Sequence, residues 1–195
     1  MREPKLLSNL CKKPPHGLHC TTMAVRTILH YPDARLRVAG KRVATFDETL
    51  WRLVDDMAET MYAAPGVGLA ATQIAEYCQV FVIDCAPEGE PSDLRVFVNP
   101  EILSHDGAAT SSEGCLSFPA AREEIERAEL VRVRAQDRNG AWFELEAQGL
   151  LAVAIQHEYD HLQGILMIDR LGPLKKRLLH RKMVKRAEAG APASG

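Results

Sequence analysis

Two histidines four positions apart, the first followed directly by a glutamate, carry the most specific chemistry in this chain of 195 residues: His157-Glu158-Tyr159-Asp160-His161. On a helix, positions i and i+4 share one face about a turn apart, so both imidazoles reach a single ion. Glu158 then flanks that face, placed to handle a proton on a water held there. The plain alternative is two helical histidines, one exposed and one in the core. A catalytic zinc-type site takes three protein ligands and keeps one position for water, so one ligand remains to be found. No downstream His or Glu completes a metalloprotease pattern. Glu113-Gly114-Cys115-Leu116-Ser117 offers a thiolate instead, beside a glycine that lets the backbone come close. Taken alone, Cys115 reads more readily as a small buried hydrophobe. A third segment, Gly66-Val67-Gly68-Leu69-Ala70-Ala71-Thr72-Gln73, combines two glycines, small residues and a neutral amide. Such a loop can carry a substrate chain past its backbone and aim a hydrogen-bond donor at a reacting centre, or it can be a glycine-rich turn into a buried helix. It is not a phosphate loop, because the GK[ST] ending is missing.

These segments need elements to hold them. Residues 149–163 predict a helix that would carry both histidines, with Gly164 placed to end it. Leu150, Val153 and Ala154 precede His157 by seven, four and three positions and share its face, a lining suited to an unbranched apolar side chain or simply part of the core. An earlier helix is predicted over 47–63, where Leu50, Leu53, Val54, Met57 and Met61 recur at helical steps. Asp47, or Thr45 with Glu48, caps its start, and Pro65-Gly66 closes it. Strands are predicted at 79–84, 95–99, 130–136 and 142–147, the last two joined through Asn139-Gly140 as an antiparallel hairpin. A third, amphipathic and basic helix starts near Pro173 and buries Leu174, Leu178, Leu179 and Met183. With no repeated strand–helix–strand unit, the fold class is α+β: small antiparallel sheets around a central helix bearing the two histidines, with the amphipathic helix at the C-terminus.

Composition sets outer limits. Hydrophobic residues make up 46% and charged residues 26%, the balance of a globular chain rather than a disordered one. No apolar run approaches the roughly 18 residues of a membrane span, so no membrane partner is expected. The five cysteines are an odd set without a CxxC pair, which suits a reducing compartment, and a cytoplasmic location is the simplest reading. Residues 1–22 hold Pro14-Pro15, scattered lysines and no period, so they read as a disordered leader outside a single catalytic domain spanning 23–195. The tail after about residue 188 reads as flexible. Cys11, His16, His19 and Cys20 within the leader fit no zinc spacing.

Taken together, the three segments resemble the peptide deformylase family. Its motifs GxGxAAxQ, EGCLS and QHExDH occur here in that order as GVGLAATQ, EGCLSFP and QHEYDHLQG, and the similarity runs from MAVRTILHYPDARLR at Met23 to the C-terminal helix. The resemblance implies Cys115, His157 and His161 as metal ligands and Glu158 as the catalytic carboxylate. It implies the Gln73 side chain and the Leu116 N–H as oxyanion donors, with Gly68 beside the substrate backbone and Arg122 orienting the peptide. It implies one divalent ion, Fe²⁺ in the cell, with Zn²⁺, Ni²⁺ or Co²⁺ as substitutes; a thiolate and two imidazoles suit all four. The implied substrates are nascent formyl-Met polypeptides. The implied partner is the ribosome, met through the basic stretch holding Lys175, Lys176, Arg177, Arg181, Lys182, Lys185 and Arg186 with no acid between Leu171 and Ala187. Truncation from Arg177 is expected to weaken that contact. Two rival readings are a zinc peptidase, which leaves EGCLS and GVGLAATQ unexplained, and a non-catalytic ribosome-associated protein with a structural metal, which has no need of Glu158 or Gln73.

Overall fold

The computed structural model describes residues 24–87 and 89–190; the leader reading for 1–22 and most of the tail beyond 188 fall outside them. The first helix, α1 (Glu48–Ala63), begins where the Asp47 carboxylate accepts hydrogen bonds from the N–H groups of Thr49 and Leu50. Such a cap is worth about 1 kcal/mol, and Asp47 supplies it without help from Thr45. Leu50, Val54, Met57 and Met61 are buried and Leu53 partly so.

Seven strands follow: β1 (Gly68–Ala70), β2 (Val80–Ile83), β3 (Arg95–Asp106), β4 (Ala109–Gly114), β5 (Arg122–Arg127), β6 (Leu130–Gln136) and β7 (Trp142–Gln148). All pairings among them are antiparallel. Five form one sheet in the order β1-β2-β3-β6-β7, while β4 and β5 make a separate hairpin. Two longer helices complete the chain, α2 (Gly149–Leu162) and α3 (Pro173–Glu188), giving an α+β architecture.

The pattern of β2 explains the layering. Its residues Val80, Phe81, Val82 and Ile83 are all buried, so neither face of this strand meets water. Val80 and Val82 join Leu50, Val54 and Met57 of α1 in one core; Phe81 and Ile83 join Ala154 and Ile155 of α2 in another. The sheet is thus covered by α1 on one side and α2 on the other. Farther along, only the α2 side is covered: Val131, Val133 and Ala135 of β6 are buried while Arg132 is exposed, the alternation a half-wet strand requires. The β6–β7 hairpin turns through Gly140 at φ +87°, a value that favours glycine.

Three features depart from the sequence reading. Strand β3 runs on to Asp106 rather than stopping near residue 99, because its second half pairs with β6 across register shifts while its side chains turn polar and outward. The β4–β5 hairpin was not anticipated; ATSSEG and REEIER lack the apolar alternation that marks a strand. On α3, Leu179 and Met183 are buried against Leu36, Phe118 and Ile168, but Leu174 is 66% and Leu178 56% exposed. The helix rests on the core along one narrow stripe, so the first two leucines clear it. Among the described residues no helix is long and apolar enough to cross a membrane.

Candidate active site

Helix α2 packs against β1 and β2, which turns His157, Glu158 and His161 inward beneath the loop that follows β4. There the Cys115 Sγ lies 3.3 Å from the Nε2 of His161. One ligand atom each from Cys115, His157 and His161 falls within 4.8 Å of the others. The helical period therefore does what the i, i+4 spacing requires, and the thiol of a distant segment closes the set.

The orientation of His157 is fixed from behind. Its Nδ1–H donates to Glu113 Oε2 at 2.9 Å, leaving the Nε2 lone pair for the site, the arrangement typical of a metal-ligating imidazole. Glu113 is itself gripped by Arg127, through Nε at 2.8 Å and Nη2 at 3.0 Å. The Arg127 Nη1 reaches Asp160 Oδ2 at 2.6 Å, and Arg170 pairs with Asp160 from the other side. Glu113, Arg127 and Asp160 are all buried. Burial alone would raise the Glu113 pKa, but the hydrogen bonds and charges of His157 and Arg127 outweigh it and hold the carboxyl below its ordinary value. Glu113 and Asp160 stand inside two of the three recognised motifs, yet sequence reasoning gave neither a role and passed over Arg127. The only available signal was that three strongly polar residues sat in or beside segments due to be buried.

Glu158 is 5% exposed, and its Oε2 is buried with no hydrogen-bond partner among the described residues. Burial pushes its pKa up to about 7, against the opposing pull of the His157 and Arg127 charges. Gln73 is buried too. Its Oε1 accepts the Ala70 N–H at 2.9 Å, and its Nε2 donates to Ser117 Oγ at 3.0 Å while lying 3.7 Å from Cys115 Sγ. The two glycines of the β1 segment face the other motifs. A Cβ on Gly66 would stand 2.8 Å from Leu116 Cδ1, and one on Gly68 would stand 2.5 Å from Glu158 Oε1.

These groups open onto a groove of about 1270 Å³ that reaches Gly68, Gln73, Leu116, Arg122, Leu150, Val153 and Ala154. Of the metal-ligand, catalytic and substrate-contact candidates read from sequence, all but His161 line this groove. Ala154 is buried, Val153 half-buried and Leu150 exposed by 55%, so Leu150 belongs to the groove rather than to the core. Arg122 is exposed at the rim, where its Nη2 donates to the Ser112 carbonyl at 3.1 Å.

The donor set fits a divalent ion. A thiol and two buried imidazoles converge within reach of one centre, one imidazole is held in the ligating tautomer, and the unpartnered oxygen of Glu158 is not drawn into the ligand set.

A model of the polypeptide deformylase family matches residues 25–177. A peptide deformylase of Alkalilimnicola ehrlichii is 52% identical over 168 residues, covering 86% of this chain and 94% of the relative. One from Chromobacterium violaceum is 49% identical over 164 residues, covering 84% and 97%. The crystal structure of a peptide deformylase from Legionella pneumophila superposes with a TM-score of 0.79 at 48% identity, over 87% of this chain and all of that one. With the motifs, the fold and the site geometry in agreement with these likenesses, the chain belongs to the polypeptide deformylase family.

Proposed function

We propose that this protein hydrolyses the N-formyl group of nascent formyl-methionyl polypeptides, releasing formate and a free amino terminus. The observation that carries the reading is the convergence of Cys115, His157 and His161 next to a groove that Glu158 and Gln73 also line. A divalent ion held by Cys115, His157 and His161 supplies Lewis acidity and lowers the pKa of water at the site; Fe²⁺ is our assignment, with Zn²⁺, Ni²⁺ and Co²⁺ able to replace it. The Glu158 carboxylate takes a proton from the attacking water and returns it to the departing amine, a task for which its raised pKa is well matched. The Gln73 amide and the Leu116 N–H donate to the formyl oxygen as it gains charge, and one such donor is typically worth about 10²–10³ in rate. Leu150, Val153 and Ala154 offer the methionine side chain an apolar wall. Gly68 borders the peptide backbone and Arg122 orients it at the rim. The three described cysteines are free thiols, in keeping with a cytoplasmic site of action. Purified protein loaded with metal should release formate from formyl-Met-Ala-Ser and leave acetyl-Met-Ala-Ser and unblocked peptides intact. Cleavage of internal amides without formate would instead make it a peptidase.

Docking to the ribosome through α3 is part of the same proposal, supported by a run of cations without acids and by the exposure of Lys175, Arg177, Arg181 and Lys185. Truncation from Arg177 is a poor test, because it would also strip Leu179 and Met183 from the core. Replacing those four cations by Gln leaves the buried stripe intact. This variant should lose most of its co-sedimentation with ribosomes, and most of the salt sensitivity of that binding, since phosphate contacts release counterions. Hydrolysis of a short formyl-Met peptide should be unchanged. Undiminished pelleting would reduce the helix to a charged surface.

A further inference from the structure

Gly68 has no conformational reason to be glycine. It opens strand β1, and its φ lies outside the left-handed region that six other described glycines occupy. An alanine would adopt the same backbone without strain. What a side chain would displace is the neighbour: an added Cβ would fall 2.5 Å from Oε1 of Glu158 and 3.0 Å from both its Cδ and its Cγ. Contacts below about 3.0 Å are repulsive for any carbon, and three consecutive atoms of one side chain lie in the way. Gly68 is buried and Glu158 is 5% exposed, and both line the groove, so a side chain at residue 68 would be accommodated by shifting the carboxylate within the site. Two positions earlier, Gly66 meets Leu116 in the same manner.

We infer that Gly68 is a positioning residue: the absence of its side chain is the slot that holds the Glu158 carboxylate at its working position. This rests on the reading of Glu158 as the proton carrier. It differs from the role in which Gly68 merely lets the peptide backbone pass, because it makes the glycine answerable to one side chain of the enzyme. Proton transfer is sensitive to placement, and a displacement of about 1 Å at a reacting group can cost about 10²-fold in rate. A single methyl at residue 68 is therefore a disproportionate perturbation.

A double-mutant cycle tests this with two readouts. Gly68→Ala should lower kcat by roughly 10²-fold with a much smaller change in KM, retain its metal, and melt on the order of 5 °C lower through overpacking. In a Glu158→Ala background the three opposing atoms are gone. There the same Gly68→Ala change should cost neither further turnover nor further melting temperature, so the effects are strongly non-additive. If Gly68→Ala costs the same factor and the same melting shift in both backgrounds, the slot does not serve Glu158. If Gly68→Ala raises KM in both with kcat untouched, the glycine serves only the peptide. Should Glu158→Ala alone leave turnover intact, the assignment of Glu158 fails; the melting-temperature cycle then still reports on the slot, since it needs no substrate.

Discussion

Replacing Cys115, His157 or His161 by Ala is expected to remove the ion and the activity together. The three side chains are the only group of three or more His, Cys, Asp or Glu residues among those described whose ligand atoms converge closely enough for one ion. Two neighbouring carboxylates are not free to replace a lost ligand: Glu113 is engaged by Arg127 and His157, and Asp160 by Arg127 and Arg170. Metal content per chain after dialysis against a weak chelator, measured beside formate release, gives the answer. Cys115→Ala with a full metal complement and normal turnover would remove the thiolate from the site and leave the motif cysteine as a packing residue.

Glu158→Ala should show the opposite pattern, a retained ion with lost chemistry. Its carboxylate is buried against Gly68, and its Oε2 has no hydrogen-bond partner among the described residues. Proton transfer by a positioned side chain contributes about 10²–10⁴ in rate, and kcat should fall by that order while KM moves little. Glu158→Gln preserves the shape and so separates the proton from the packing; it should be about as slow as the alanine variant yet melt closer to the parent. Loss of metal in either variant would place Glu158 in the ligand set and overturn the division of labour proposed here.

The site was legible in the sequence to the extent that local periodicity encodes it. His157 and His161 announce themselves because a helix brings i and i+4 together, and the β6–β7 hairpin because its apolar residues alternate about a glycine turn. What has no period was not legible. Arg127 meets Glu113 across 14 residues and Asp160 across 33, and no pattern in any of the three segments marks the pairing. The β4–β5 hairpin was hidden because it is held by backbone pairing and a few inward residues such as Ile125, not by an apolar stripe. On α3 the sequence showed which residues could be buried but not how narrow the surface opposite would be, hence the error at Leu174 and Leu178. The glycine at 68 was read for what it lets pass, and its nearest neighbour from the third motif was visible only in three dimensions.

The grip of Arg127 on Glu113 and Asp160 also limits how this sequence can drift. One buried cation balances two carboxylates carried by different elements, β4 and α2. Removing one member of a buried ion pair costs roughly 3–5 kcal/mol because it strands the other charge. That is a large share of the 5–15 kcal/mol by which folded domains commonly exceed their unfolded state. A lineage that changes Glu113 or Arg127 alone must therefore cross a destabilised intermediate, whereas an apolar trio reached in one step would avoid the stranded charge but leave the His157 Nδ1–H without its acceptor. The ring that orients a metal ligand is thus protected twice, by stability against single changes and by chemistry against the concerted one.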